Sequence, residues 1–230
     1  YLLPLNNSLS CNMKQTDHRT CLRGTHILTI FLLLLFASPS CQKAHLETIV
    51  YQNDFENNDL SQIERGVISI FNSGNGTKVL GMYNNGSFVI RLNSLPAHKM
   101  VRITFDLNIH DTWDGNFTGG GWDGPDTWQM NVNGKPYIYT TFSNSTYIQS
   151  YPGKFPSFQH PKSYGRADIP GACTWKNENT GTTQYKIEKF IPHTESDLVL
   201  ECLDRLVQRN SVDPLCDESW SADNVVISIL

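Results

Sequence analysis

Five apolar residues alternate with four polar ones in the stretch VRITFDLNI. Val101, Ile103, Phe105, Leu107 and Ile109 share one parity, and Arg102, Thr104, Asp106 and Asn108 take the other. A period of two puts each set on one face of an extended chain, so the stretch predicts a half-buried strand. The pattern recurs. SFVIRL carries it with Phe88, Ile90 and Leu92, and NSLPAHK breaks the chain before the next strand. TWQMNV sets Trp128, Met130 and Val132 on one face and runs into Asn133-Gly134, a dipeptide that closes two-residue hairpins. YIYTTF then returns as the partner strand. QYKIEKF, DLVLECL and NVVISIL complete the set, with polar, glycine-rich turns between them.

Helical periodicity is nearly absent; LDRLVQR has the pattern of a short helical turn at most. Residues 143–182 hold Pro152, Pro156, Pro161 and Pro170, too long and proline-rich a span for a simple turn. Connections of that length often form binding loops or lids. The pattern predicts an all-β protein, an antiparallel β-sandwich of jelly-roll type whose inner faces supply the core.

The first forty residues do not fit this pattern. After Met13 come Lys14, Arg19 and Arg23, then the apolar run Ile27–Ala37, then SPSC. A charged start, a short apolar stretch and small residues before a cut together read as a secretory signal over 13–40. The apolar run falls well short of the roughly twenty residues that span a membrane. Residues 1–12 read as upstream sequence or a fragment edge, 41–50 as a short linker, and 51–230 as one domain. FASPSCQK resembles a bacterial lipoprotein signal, in which the cysteine, here Cys41, takes lipid and becomes the mature N-terminus. Such signals usually place Leu where this chain has Ser38, and ordinary cleavage after Ser40 is the alternative.

Composition narrows the partners. The chain's formal charge is −4, and the leader holds three cations against one anion, so the remainder stands at −6. No basic run survives, which disfavours nucleic acid as a partner; the only membrane contact expected is a lipid on Cys41. Oligomeric state is not readable. Beyond the leader lie Cys41, Cys173, Cys202 and Cys216. With Cys41 lipidated, one pair and one odd thiol remain, and Cys202–Cys216 is the expected disulfide. No two cysteines have zinc-site spacing.

Two constellations could carry chemistry. HDTWDGNFTGGGWDGPDTWQMNVNG places Asp111, Asp114, Asp123 and Asp126 among glycines and tryptophans between two strands. A glycosidase needs two carboxylates at a fixed separation, and a glycine-rich loop holds them poorly. The spacing also departs from the EF-hand loop. Turn chemistry, a ligand loop and catalysis all remain open there. Trp128 starts a strand and belongs to the core. Trp122 is the candidate stacking platform for a sugar ring, with Trp113, Asp123 and Asp126 as companions; the alternative is that Trp122 plugs the end of the sandwich. The second constellation joins the two ends of the domain. Asp54, Glu56, Asp217, Glu218 and Asp223 would offer hard oxygen ligands if the first and last strands lie together, and strand-end hydrogen bonds are the competing use.

The order of DFE (54–56), LPAH (95–98), FDL (105–107), WDG (113–115), GPDTW (124–128), TTFSN (140–144), SYP (150–152), IPH (191–193) and DESWSADNV (217–225) resembles a group of secreted, mostly bacterial β-sandwich ectodomains of no established activity. More loosely, the opening DFE and closing DNV are similar to MAM domains and jelly-roll carbohydrate-binding modules, several of which hold a structural calcium there. The resemblance implies calcium held by Glu56 and Asp223, with Asp54 next. The group usually has Gly after DESW, where this chain has Ser221. A positive φ at that position would force a different local turn.

HExxH, GxSxG, P-loop and GxGxxG patterns are missing, and the histidines are scattered. The sequence therefore reads as an exported, surface-anchored, non-catalytic module binding glycan, with a structural calcium. The alternatives are a polysaccharide-acting enzyme using the loop carboxylates and a purely structural or adhesive envelope protein.

Overall fold

The computed structural model describes residues 46–71, 76–119, 124–162, 166–173, 181–207 and 211–230. All of them belong to the unit His45–Leu230. Residues 1–45, and with them the leader and Cys41, lie outside the described residues.

Among the described residues, twelve strands form in chain order: β1 (Thr48–Asn53), β2 (Ile63–Glu64), β3 (Ile68–Phe71), β4 (Thr77–Tyr83), β5 (Ser87–Leu92), β6 (Met100–Asp111), β7 (Thr127–Val132), β8 (Lys135–Thr141), β9 (Arg166–Ile169), β10 (Thr182–Pro192), β11 (Leu198–Arg205) and β12 (Glu218–Ile229). One helical turn, α1 (Pro214–Asp217), precedes β12. A seven-stranded sheet runs β3-β4-β12-β6-β10-β9, with β1 beside the second half of β12. A five-stranded sheet runs β2-β5-β11-β7-β8. Every pairing is antiparallel, and the two sheets make the jelly-roll sandwich that the alternation predicts.

The parity rule holds along β6. Val101, Ile103, Phe105, Leu107 and Ile109 are fully buried, against inward residues of β12 and the opposite sheet. Trp128, Met130 and Val132 of β7 and Phe88, Ile90 and Leu92 of β5 meet them from the five-stranded sheet. Burying a side chain of this size stabilises by about 1.5–3 kcal/mol, so these rows decide which face of each strand turns inward. Asn133 and Gly134 both adopt positive φ, 48° and 74°, and close the β7–β8 hairpin as read.

The expected Cys202–Cys216 disulfide does not form; Cys173 bonds Cys216 instead, with Cα atoms 5.3 Å apart. The reason is parity. Cys202 follows Leu198 and Leu200 on the inward face of β11 and is fully buried as a free thiol. Cys216 sits in α1, outside that core, and meets the segment that follows β9.

Ser221 occupies ordinary extended backbone inside β12, so the usual glycine is not required there by φ. The constraint falls on its neighbour across the sheet. Gly81 of β4 has φ +141°, and a Cβ on it would stand 2.7 Å from Ser221 Cβ and 2.8 Å from the Trp220 carbonyl. The sheet closes there because Gly81 has no side chain.

Candidate functional site

The glycine-rich loop does not present its acids and tryptophans as a surface. Trp122 and Asp123 lie outside the described residues. Trp113, expected at the binding edge, is instead in the core: it is fully buried, its Nε1 donates to the Ser219 carbonyl at 2.9 Å, and its ring meets Phe142 edge-on. Asp126, also expected there, is fully buried. Its Oδ2 accepts from the Asp114 amide at 2.5 Å and its Oδ1 from the Val207 amide at 3.3 Å. A buried carboxylate accepting backbone N–H groups fixes loops; here it ties the loop after β6 to the chain leaving β11.

Asp126 also belongs to a cluster that the sequence did not group. Carboxylate oxygens of Asp114, Asp126 and Glu218 lie within 4.8 Å of one another. Asp126 and Glu218 are both fully buried and Asp111 is 1% exposed, so these acids do not face an open groove. A glycosidase pair must flank an accessible bond, and Asp111 and Asp126 are too deeply buried to do so, while Asp114 is half-buried.

The two-ended acid constellation divides. Glu218 and Asp223 are five residues apart on one extended strand, about 17 Å, too far to share an ion. Glu218 joins Asp114 and Asp126. Asp217 accepts from the Thr112 hydroxyl at 3.0 Å. Asp223 instead faces Asp106, Glu56 and Asp54. Burial first, and then those like charges, push its carboxyl up to about 6. Glu56 accepts from the Lys78 amide at 3.0 Å and from the Thr77 hydroxyl at 2.5 Å, which holds its carboxyl below the usual range. Asp54 and Glu56 are exposed while Asp223 is nearly buried. These are hard oxygen donors of the kind calcium takes. Among the described residues, however, the three do not bring their oxygens as close together as the Asp114 cluster does.

A concavity lies elsewhere, at β8. In this strand Ile138 and Thr140 turn into the core, and Tyr139 stands beside Gln129 of β7 on the outer face. A register shift between Met130 and Asn131 makes a bulge that carries Tyr137. Tyr151, from the loop after β8, packs on Phe142 and Tyr185, with ring centroids 4.8 and 5.0 Å away. Phe155 holds Tyr139 edge-on at 6.1 Å. Lys189 of β10 shares the parity of Ile187 and Ile191 but is only half-buried, and it lines the same cleft from the other sheet. The result is a cleft of about 470 Å³ lined by Gln129, Tyr137, Tyr139, Tyr151, Lys154 and Lys189. Burial raises the Tyr151 phenol above its ordinary range, so it remains an O–H donor at neutral pH.

From Gln129 a polar ladder crosses the outer face of the five-stranded sheet. Gln129 Nε2 donates to Asn131 Oδ1 at 2.6 Å, Asn131 Nδ2 to Glu201 at 3.1 Å, and Arg65 to the other Glu201 oxygen at 2.9 Å. Pre-oriented amides beside aromatic rings can bind a ring-shaped polyol, with stacking on the ring faces and hydrogen bonds at the edges. None of Tyr137, Tyr139, Tyr151 or Lys189 stood out in the sequence. The available signal was the i, i+2 pair Tyr137 and Tyr139 beside Pro136, which reads equally well as an ordinary edge strand.

Fold and cleft together define an all-β sandwich of jelly-roll type with a ligand-sized concavity at one open edge. No protein-family model matches the chain, and no curated protein matches it. Solved structures with a similar course include a family 35 carbohydrate binding module from Clostridium thermocellum, at 13% identity and TM-score 0.36, covering 80% of this chain and 97% of that one. The CBM22-2 xylan-binding domain of Paenibacillus barcinonensis Xyn10C matches at 12% identity and TM-score 0.37, over 78% of this chain and 99% of that one. BtGH115A, a family GH115 4-O-methyl-alpha-glucuronidase, matches at 11% identity and TM-score 0.40, over 80% of this chain but 18% of that one. With TM-scores below 0.5, these likenesses say nothing of ligand or activity here.

Proposed function

We propose that the protein is a glycan-binding module without catalytic function, and that its site is the cleft formed by Tyr137, Tyr139 and Tyr151. The observation that carries this reading is three tyrosine rings, two of them held by further aromatic contacts, around the Gln129 amide in a cleft of about 470 Å³. Rings already held in place lose little freedom on binding, which favours a flat, hydroxyl-rich ligand. A purely structural envelope protein would have no use for such a concavity. A glycan array followed by calorimetry tests the reading. Binding of one glycan class, weakened about three- to tenfold in Tyr139→Ala by loss of a ring contact, is the expected result. Absence of binding, or binding untouched by Tyr139→Ala and Tyr151→Ala alike, would sink it.

Calcium is proposed as a structural ion held by Glu56, Asp223 and Asp54. What supports it is the crowding of like charge around Asp223, which a divalent cation would relieve. Export and lipid attachment at Cys41 are proposed from the leader. The Cys173–Cys216 disulfide supports an oxidising compartment. Mass spectrometry of the mature N-terminus decides between a lipidated Cys41 and a plain Cys41 after cleavage behind Ser40.

A further inference from the structure

Two clefts adjoin along the β8 edge and share Tyr137. The first takes Lys154 and Lys189 into its wall, the second Lys99 and Lys135 together with Asn133, His193 and Glu195. Lys135 Nζ also stands 5.2 Å from the centre of the Tyr137 ring. Four of the other seven cations with described side chains are matched by carboxylates, while Lys78, Lys162 and Arg205, scattered away from these clefts, are not. Arg65 pairs with Glu201, Arg91 with Glu64, Arg102 with both Glu47 and Glu188, and Lys186 with Asp106. The four cleft lysines make no ion pair among the described residues. Glu195 is the one carboxylate lining either cleft, and it already accepts from Asn133 Nδ2.

This arrangement is not a by-product of composition, because the chain carries a net charge of −4. A negative protein that leaves four ammonium groups unmatched along one aromatic edge has a surface complementary to anions. A neutral sugar needs ring faces and hydrogen-bonding edges, which Tyr139, Tyr151 and Gln129 already supply, and gains little from ammonium groups. We propose that the ligand of this edge is an anionic glycan, with carboxylate or sulfate groups that meet Lys154 and Lys189 in the first cleft and Lys99 and Lys135 in the second. The proposal rests on the glycan reading of the same cleft. Single-stranded nucleic acid also combines stacking with cations, and it is the competing occupant that the test separates from an anionic glycan.

The test compares matched pairs on the intact protein: oligogalacturonides against their carboxyl-reduced form, and chondroitin sulfate against desulfated chondroitin, by calorimetry at low and at physiological salt. One charged member is expected to bind about tenfold or more above its uncharged partner, with an affinity that falls as salt rises. The pair that shows the preference identifies the anion as carboxylate or sulfate. Lys154→Gln/Lys189→Gln should remove most of the preference while leaving the melting temperature unchanged, and Tyr139→Ala should weaken charged and uncharged members together. Equal binding within both pairs, or a preference that survives the double lysine substitution, overturns the anionic assignment and leaves the glycan reading standing. No binding to any of the four removes both. Tighter binding of oligo(dT), lost in the same double variant, would replace glycan by nucleic acid and overturn the proposal.

Discussion

The Ser221 hydroxyl stands 2.9 Å from His110 Nε2, both groups being buried on the outer face of the seven-stranded sheet. Their neighbours fix the direction of the bond. Thr182 Oγ1 donates its one proton to the Pro170 carbonyl, so at His110 Nδ1 it accepts, and Nδ1 carries the ring proton. Nε2 is then an acceptor and Ser221 its donor. Ser221 Oγ accepts in turn from Asn108 Nδ2 at 3.2 Å, and Asn108 Oδ1 from Gln184 Nε2 at 3.1 Å. Every described member of this chain has a partner in the required sense, beneath a small cluster of Phe71, Val79 and Ile169. A Ser–His contact of this length suggests a nucleophile and its base, but the chain is closed to solvent and serves packing.

Burial pushes His110 down to about 3, whereas in the unfolded chain it titrates near 6.5. Between those values the unfolded chain takes up a proton that the folded protein refuses. The stability this provides is complete above about pH 6.5 and is lost as pH falls, by about 1.4 kcal/mol per unit. His110→Gln should lower stability at pH 7 and flatten its decline toward pH 4.5. Urea midpoints of both proteins across that range check this; parallel slopes would count against it.

Calcium should raise the melting temperature of the wild-type protein, and EDTA should lower it. Asp223→Asn should abolish that response. In EDTA the variant should be no less stable than wild type, because one of four crowded carboxylates has been removed. Scanning calorimetry reads both, and a wild-type melting temperature indifferent to calcium would end the metal assignment.

Cys173→Ser and Cys216→Ser should destabilise equally, by at most about 4 kcal/mol for a cross-link of this loop length, since each opens the same bridge. Cys202→Ser should cost about 1–3 kcal/mol for a different reason, a hydroxyl placed in an apolar core. Alkylation before and after denaturation, followed by peptide mapping, distinguishes them: Cys202 should react only after unfolding.

Gly81→Ala should be among the more damaging single substitutions, at least about 3 kcal/mol, because the new methyl meets backbone and Cβ atoms rather than a movable chain end. Gly134→Ala offers the control. Its added Cβ meets nothing within 4 Å, so only the cost of positive φ remains, about 1 kcal/mol. Chemical denaturation of both variants gives the comparison.

The sheets were legible because alternation is a local signal that burial enforces. β6, β5 and β7 each turn inward the face that their apolar parity selects. The site was much less legible. Trp113 and Asp126 drew attention as aromatic and acid among glycines, yet the same loop bends back so that Trp113 reaches the Ser219 carbonyl and Asp126 the Val207 amide. Those are contacts across 106 and 81 residues, which no window of the sequence contains. Tyr151 and Lys189 likewise line one cleft from distant parts of the sequence, one from a loop and one from a strand of the other sheet. The disulfide was not legible either: a count of cysteines does not show that the inward parity of Cys202 on β11 takes it out of reach of Cys216.

β12 fills the middle of its sheet and is the last strand of the sandwich in chain order, while β1, the first, pairs with no other strand among the described residues. The native partner of β1 is therefore available only when nearly the entire domain is. The β3–β4 and β7–β8 pairs can form locally, but final closure joins the two ends of the domain in a late, long-range step, before which the edges β12 will cover are bare.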